Sequence, residues 1–238
     1  MADTDLVINS VSMIDFDGAT SNPTVVLYRK DKRPVIGWEG LTHVANEPGL
    51  FLNHDFKILL GNIRRRSTKP REQLPCSDGQ TRSVTTIAAE YLYQFVEKVR
   101  KWLQSRGSAD NINLLVAEPL SLSQDVAPPE WLSNYRQNVQ TILTGTPGIK
   151  TVDFLPEPFA VFQFYKHARR HPAISSTKHH ALVIDFGGGT CDVCIIETTK
   201  EGEIRARGRH CRPLAAASHP TGGSFINFAI AKYLLPSI

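Results

Sequence analysis

The sequence predicts an α/β protein with two structurally similar halves, and three observations support this fold class. Apolar runs typical of strands alternate along the chain with segments of helical periodicity. A turn motif with the pattern I-D-F-x-G-x-T occurs twice, at residues 14–20 and again at residues 184–190. Hydrophobic residues form 41% of the 238 residues, enough to bury a substantial core.

The predicted strands surround the two copies of the motif. Short strands are expected at residues 6–8, 11–16, 24–28 and 35–38, with a more polar one at 151–155. Unbroken apolar runs at residues 114–117 and 181–184 predict central strands that are covered on both faces. Strands before and after each copy of the motif predict two hairpins.

Helices are predicted where apolar residues recur at a spacing of 3.6. The strongest covers residues 84–103, with Ser83 as its N-terminal cap and Gly107 where the chain leaves the helix. The others are expected from about 130 to 143, from near 158 to before 172, and from near 224. Residues 167–180 are polar and basic, which favours a linker or surface crossing.

Composition excludes several classes of protein. The net charge of +4 is too mild to indicate a nucleic-acid partner, and no apolar run reaches the ~18 residues of a membrane span. The acidic start lacks the apolar stretch of a secretory signal, and four cysteines are expected to be reduced thiols. We therefore expect cytoplasmic or nuclear localisation. The basic residues 64–71 lack interleaved aromatics, which favours a solvated loop.

The second copy of the motif has the chemistry of a phosphate-binding turn. Glycines at 187–189 tolerate positive φ and let backbone N–H groups approach phosphate oxygens, and Thr190 adds a hydroxyl. Asp185 ends a predicted buried strand, where a carboxylate needs a partner or a cation, and Asp192 is a second such group. With phosphate nearby, Mg²⁺ held through water is the natural cation. A plain hairpin with an aspartate-capped turn is the alternative.

Six motifs in order carry a family resemblance. They lie at residues 15–20, 55–61, 116–124, 155–160, 185–192 and 222–225. Together they resemble the nucleotide-binding (ATPase) domain of the 70-kDa heat-shock chaperones, within the actin and sugar-kinase ATPase superfamily. The resemblance implies an actin-like (ribonuclease H-like) fold, with a mixed sheet flanked by helices. Residues 1–172 would form the first lobe and residues 173–238 the start of a truncated second lobe.

The resemblance also implies a function and its residues. ATP or ADP would bind between the lobes with Mg²⁺, which Asp15 and Asp185 would hold through water. Lys57, Glu157 and Asp185 would be the catalytic residues. The nucleotide-binding residues would be Asp15, Gly18, Ala19, Thr20, Gly187, Gly188, Gly189, Thr190, Asp192, Gly222 and Gly223. The intact protein would couple ATP hydrolysis to protein folding, with client or co-chaperone proteins as partners, while this chain alone is expected to be inactive.

Departures from the family pattern keep other functions open. Asp17 stands where the family has glycine, Ala19 replaces a threonine, and Glu118 replaces a small residue. These changes favour a second hypothesis, a catalytically inactive relative that acts as a binding or regulatory module. A small-molecule kinase of the same superfamily and a nucleic-acid role for the basic loop are weaker alternatives. The chain has no Walker A motif, so a P-loop mode of ATP binding is excluded.

Overall fold

The computed structural model describes residues 13–16, 18–54, 56–64, 72–107, 111–121, 127–167, 179–198 and 211–235. These residues form a mixed α/β structure with six helices and several small sheets. The strands are β1 (Val26–Leu27), β2 (Val35–Ile36), β3 (Gln73–Pro75), β4 (Thr81–Ser83), β5 (Ile112–Glu118), β6 (Ile149–Pro156), β7 (His179–Phe186), β8 (Cys191–Thr198) and β9 (Cys211–His219). The helices are α1 (Trp38–Asn46), α2 (Phe56–Asn62), α3 (Val84–Gln104), α4 (Trp131–Thr144), α5 (Glu157–His167) and α6 (Gly223–Leu234).

The chain divides into two compact units, each made of two stretches of sequence. The first unit comprises Met1–His54 and Gln73–Ile112, and the second comprises Asp55–Glu72 and Asn113–Ile238. The predicted lobe boundary between residues 172 and 173 falls within the second unit, outside the described residues. That boundary stays a prediction, because compactness alone does not assign lobes.

The first unit is organised around α3, which confirms the helix predicted at residues 84–103. The Ser83 side chain accepts a hydrogen bond from the Thr86 N–H at 3.1 Å, so it caps the helix as expected. One face of α3 is buried and includes Val84, Ile87 and Ala88. Strands β1 and β2 form an antiparallel pair in this unit, and β3 pairs with β4 in the same way.

The second unit contains the other helices and larger strands. Strands β7, β8 and β9 form an antiparallel sheet in that order, and β5 pairs with β6. Helix α5 packs Phe162 against Val183, Cys194 and Ile196 on the covered face of the three-stranded sheet. The helices predicted at about 130–143, from near 158 to before 172, and from near 224 correspond to α4, α5 and α6, with residues 168–171 outside the described part of the chain.

Three strand predictions are wrong in the described residues. Residues 13–16, the described part of the strand predicted at 11–16, form no strand, and Phe16 makes only an isolated bridge to Ala19. Trp38 begins α1 rather than ending a strand, because Gly37, at φ 66°, turns the chain after β2. The apolar runs in β5 and β7 are not covered on both faces, since Leu115, Leu182 and Ile184 are each more than 60% exposed. In these strands buried and exposed positions alternate, as expected for a sheet with one covered face.

No helix in the described part of the chain is long and apolar enough to cross a bilayer.

Candidate functional site

The first copy of the motif, in the first unit, forms a tight turn rather than a strand hairpin. Phe16 and Ala19 exchange backbone hydrogen bonds of 2.7 and 3.3 Å, and Gly18 has φ 91°. The Gly18 N–H donates to Asp15 Oδ1 at 2.6 Å. Asp17 lies outside the described residues, and the following strand β1 pairs with β2. The Asp15 carboxylate therefore caps its own turn.

The second copy, in the second unit, is the predicted hairpin. Strands β7 and β8 pair from His179↔Thr198 to Phe186↔Cys191, and the Gly187 N–H donates to the Thr190 carbonyl at 2.9 Å. The expected positive φ is absent from all three glycines of this turn. The turn packs closely against Ile58, because a Cβ at Gly189 would lie 2.8 Å from the terminal Cδ1 of that side chain.

The N-terminus of α6 is joined to this turn through backbone hydrogen bonds. The N–H groups of Gly223 and Ser224 donate to the carbonyls of Gly187 and Gly188 at 2.9 and 2.8 Å. A Cβ at Gly222 would lie 2.5 Å from the C and O atoms of Gly188, so only glycine fits at this junction. This contact gives the predicted residues Gly222 and Gly223 a defined place beside the turn.

The junction also orients the backbone amides of the turn. In a trans peptide the N–H points opposite to the carbonyl of the preceding residue, and the described peptide bonds are all trans. Because the carbonyls of Gly187 and Gly188 point to α6, the N–H groups of Gly188 and Gly189 point away from it. Gly188 is exposed and would have nothing within 4 Å of an added Cβ. Two successive amides on an open turn are a ready anion-binding arrangement.

Three polar side chains lie side by side across strands β7, β8 and β9, near the end of the sheet that carries the turn. Asp185 pairs with Asp192, and Asp192 pairs with Ser218. Asp192 is 1% exposed, and its Oδ2 accepts a hydrogen bond from the Thr190 hydroxyl at 3.0 Å. Within the described residues, Asp192 Oδ1 and Ser218 Oγ are buried without a hydrogen-bond partner. A buried carboxylate oxygen without a partner is costly, so this position favours a cation or a water.

These oxygen donors fit the Mg²⁺ that the resemblance implies. Carboxylate and hydroxyl oxygens are the ligands this ion prefers, and it commonly keeps several waters. Within the described residues no three His, Cys, Asp or Glu side chains converge as metal ligands. The residues therefore suit an ion held by one or two carboxylates, Asp185 and Asp192, and completed by water.

The structure brings together two of the three predicted catalytic residues, Lys57 and Glu157. Lys57 lies in α2, Glu157 is the first residue of α5, and Lys57 Nζ donates a hydrogen bond to Glu157 Oε1. The side chains are 38% and 18% exposed, so the pair lies at the edge of the interior. The neighbouring Ile58 contacts Gly189, which places α2 beside the second turn.

Sequence reasoning did not identify the supporting residues on α4. Tyr135 is buried, and its pKa is raised by this burial and by the nearby carboxylates of Glu157 and Glu118. Glu118 is fully buried and accepts hydrogen bonds from the Arg136 guanidinium, at 2.6 Å from Nε and also from Nη2. The Glu118 interaction raises the pKa of Arg136. Spacing gives no sign of this, because Glu118 and Arg136 are 18 positions apart.

The predicted site residues are divided between the units. The second unit brings together one group: Lys57, Glu157, Asp185, Gly187, Gly188, Gly189, Thr190, Asp192, Gly222 and Gly223. The others, Asp15, Gly18, Ala19 and Thr20, lie in the turn of the first unit. Cys191 and Cys194, on β8 beside the second turn, are free thiols. No protein-family model matches the chain, and no curated protein sequence matches it.

Proposed function

We propose that the chain is an ATP-binding module of the kind found in the 70-kDa heat-shock chaperones, with an actin-like ATPase fold. In the intact protein it binds and hydrolyses ATP with Mg²⁺ and couples this to protein folding, in the cytoplasm or nucleus, with client or co-chaperone partners. The observation that carries the proposal is the second turn. There two neighbouring amides, Gly188 and Gly189, point away from α6 on an exposed loop that has carboxylates at its base.

The amides of the turn supply the phosphate-binding part. Hydrogen bonds from N–H groups to an anion are about twice as strong as neutral ones, and backbone donors need no reorganisation. Asp185 and Asp192 are suited to hold the water shell of Mg²⁺, which when bound neutralises phosphate charge. Thr190 keeps its hydroxyl on Asp192 and so fixes that carboxylate at the base of the turn.

Lys57 supplies the positive charge that the reaction needs, and Glu157 holds it in place. Phosphoryl transfer depends mostly on positioning and charge stabilisation, so a fixed ammonium beside the phosphates is an effective group. Glu157 holds that ammonium in one position, and Ile58 keeps its helix against Gly189. In this proposal Lys57 orients the attacking water and offsets developing negative charge, while Glu157 assists the water or the metal shell.

Calorimetry and turnover assays on the intact protein with ATP and Mg²⁺ test the proposal. Asp185→Ala should abolish Mg²⁺-dependent binding, whereas Lys57→Ala should reduce hydrolysis more than binding. Asp153→Ala is the matched control, because Asp153 is an exposed carboxylate on β6 of the same unit. Unchanged binding by Asp185→Ala, or normal turnover by Lys57→Ala, would refute these assignments.

A second function, a catalytically inactive relative that binds or regulates, is favoured by the first turn. There the Asp15 carboxylate accepts the Gly18 N–H at 2.6 Å, and Ala19 lacks the family's threonine hydroxyl. Tight nucleotide binding without turnover would support this alternative. Asp15→Asn then has a specific expectation: it should leave nucleotide affinity unchanged if Asp15 acts only as the cap of its own turn.

A further inference from the structure

Helix α2, which carries Lys57, is held by side chains of α4. It has only seven residues, and helices shorter than about 12 residues are marginal in water without tertiary contacts. Its carbonyl groups find donors on α4: Trp131 Nε1 donates to the Ile58 carbonyl at 3.0 Å, and Asn134 Nδ2 donates to the Gly61 carbonyl at 3.1 Å. The order of α2 therefore comes from α4.

Asn138 makes the most buried of these contacts. Its side-chain Nδ2 donates to the Leu60 carbonyl at 2.8 Å and to the Ile63 carbonyl at 2.9 Å. The residue is 9% exposed. Leu60 lies in the last turn of α2 and Ile63 directly follows the helix, where backbone carbonyls lack partners within the helix. One amide group thus closes the C-terminal end of the helix.

The opposite end of α2 carries the reactive group. Lys57 is the second residue of the helix, and its ammonium contacts Glu157 on α5. Ile58 contacts Gly189 of the second turn, and its carbonyl is the one that Trp131 binds. A shift of α2 against α4 would therefore move Lys57 away from Glu157.

We propose that Asn138 is a positioning residue, whose buried amide fixes α2 and thereby holds the Lys57 ammonium on Glu157 beside the second turn. The consequence for catalysis rests on the proposed function. The effect on Lys57 itself does not, and it is measurable without nucleotide.

The first experiment measures the reactivity of Lys57 in the full chain without nucleotide. An N-hydroxysuccinimide ester acylates free amines, and mass spectrometry gives the extent at Lys57 relative to exposed Lys101 on α3. In Asn138→Ala the Lys57 ammonium is released from Glu157, so its acylation should rise several-fold relative to Lys101. Gln137→Ala, the same change on the exposed side of α4, should leave the ratio unchanged.

A folding control accompanies this measurement. Circular dichroism establishes whether Asn138→Ala keeps its helices, because global unfolding would raise acylation at every lysine. If it unfolds, Asn134→Ala replaces it, since that change removes only the 3.1 Å bond to Gly61, and a smaller rise at Lys57 is expected. Unchanged acylation of Lys57 in a folded variant would overturn the proposal.

The second experiment separates a positioning role from a general loss of structure. If the native protein hydrolyses ATP, Asn138→Ala should lower kcat on the order of 10–100-fold with KM close to native. The double variant Asn138→Ala/Lys57→Ala should be no slower than Lys57→Ala alone, because both changes remove the same group. Multiplying losses would overturn the role of Asn138. If the native protein does not hydrolyse ATP, the proposed function fails and the acylation result alone decides on Asn138.

Discussion

Replacing Gly222 with alanine should break the junction between α6 and the second glycine turn. The new Cβ would lie 2.5 Å from the C and O atoms of Gly188 and 2.6 Å from the Gly187 carbonyl oxygen. Because these are backbone atoms, no side-chain rotation relieves the clash. The two segments must separate by about 0.9 Å, the difference between 2.5 Å and the 3.4 Å at which ordinary contact begins.

This separation acts on two hydrogen bonds. The bonds from Gly223 and Ser224 to the turn, now 2.9 and 2.8 Å long, would stretch beyond the normal range. At ~0.5–1.5 kcal/mol net for each bond, the free energy of unfolding should fall by about 1–3 kcal/mol. The peptide units that they orient would turn, so the N–H groups of Gly188 and Gly189 would lose their common direction. Each lost bond to a phosphate should weaken MgATP binding roughly tenfold or more.

Urea unfolding and calorimetry with MgATP measure these two effects. Gly223→Ala is the matched control, because its Cβ would have no atom closer than 3.9 Å and alanine suits a helix better than glycine. Its stability should be equal to or up to about 1 kcal/mol above native. If Gly222→Ala and Gly223→Ala unfold at the same urea concentration, the tight junction and the reasoning built on it are wrong.

Three further predictions concern charge and exposed surface. Arg136→Leu should lower the free energy of unfolding by about 2–3 kcal/mol, because it leaves the Glu118 carboxylate buried without its cation. Breaking a fully buried pair costs ~3–5 kcal/mol, and the smaller figure is expected here because the Arg136 side chain is half exposed. A urea midpoint equal to native would contradict this. The hydrogen bond from Arg82 lowers the pKa of Asp78, so its stabilising contribution is present above the ordinary carboxyl pKa of ~3.9 and is lost as pH falls through the lowered value. Asp78→Asn should therefore flatten the acid limb of a urea-midpoint profile, and an unaltered limb would contradict the assignment. Helix α6 has no buried residue and exposes several large apolar side chains. The chain should therefore self-associate as its concentration rises in gel filtration, and Phe228→Lys should reduce this association. A monomer at every concentration would contradict the prediction.

The sequence predicted those elements whose stability is local. Helix α3 was predictable because its apolar stripe and the Ser83 cap are both contained in the segment itself. Helix α2 was not predicted, because its seven residues are held by Trp131 and Asn138, more than 70 positions away. The apolar run at residues 35–38 predicts a strand that includes Trp38, because the run itself does not show that Gly37 turns the backbone.

The residue types of the candidate site were predictable, but the tertiary contacts that hold those residues in place were not. The residue pattern at 185–192 predicted a hairpin, and strands β7 and β8 form that hairpin in the structure. Positive φ is the wrong reason for the glycines of this turn, since none of them has it. A Cβ at Gly189 would press on the end of the Ile58 side chain, and at neighbouring Gly222 only glycine fits against the Gly188 backbone. Contacts of this kind depend on tertiary structure, so spacing within one segment does not reveal them. The family assignment itself stays a prediction.

The dependence of α2 on α4 has a consequence for the order of folding. The bonds that hold α2 close loops of 73 to 78 residues, so they form only after the chain between them has been organised. Helix α4 has twice the length and a buried face of its own, and it is able to form earlier. We expect the amides of Phe56–Asn62 to exchange with solvent before those of α4, by a local opening in which the rest of the second unit stays folded.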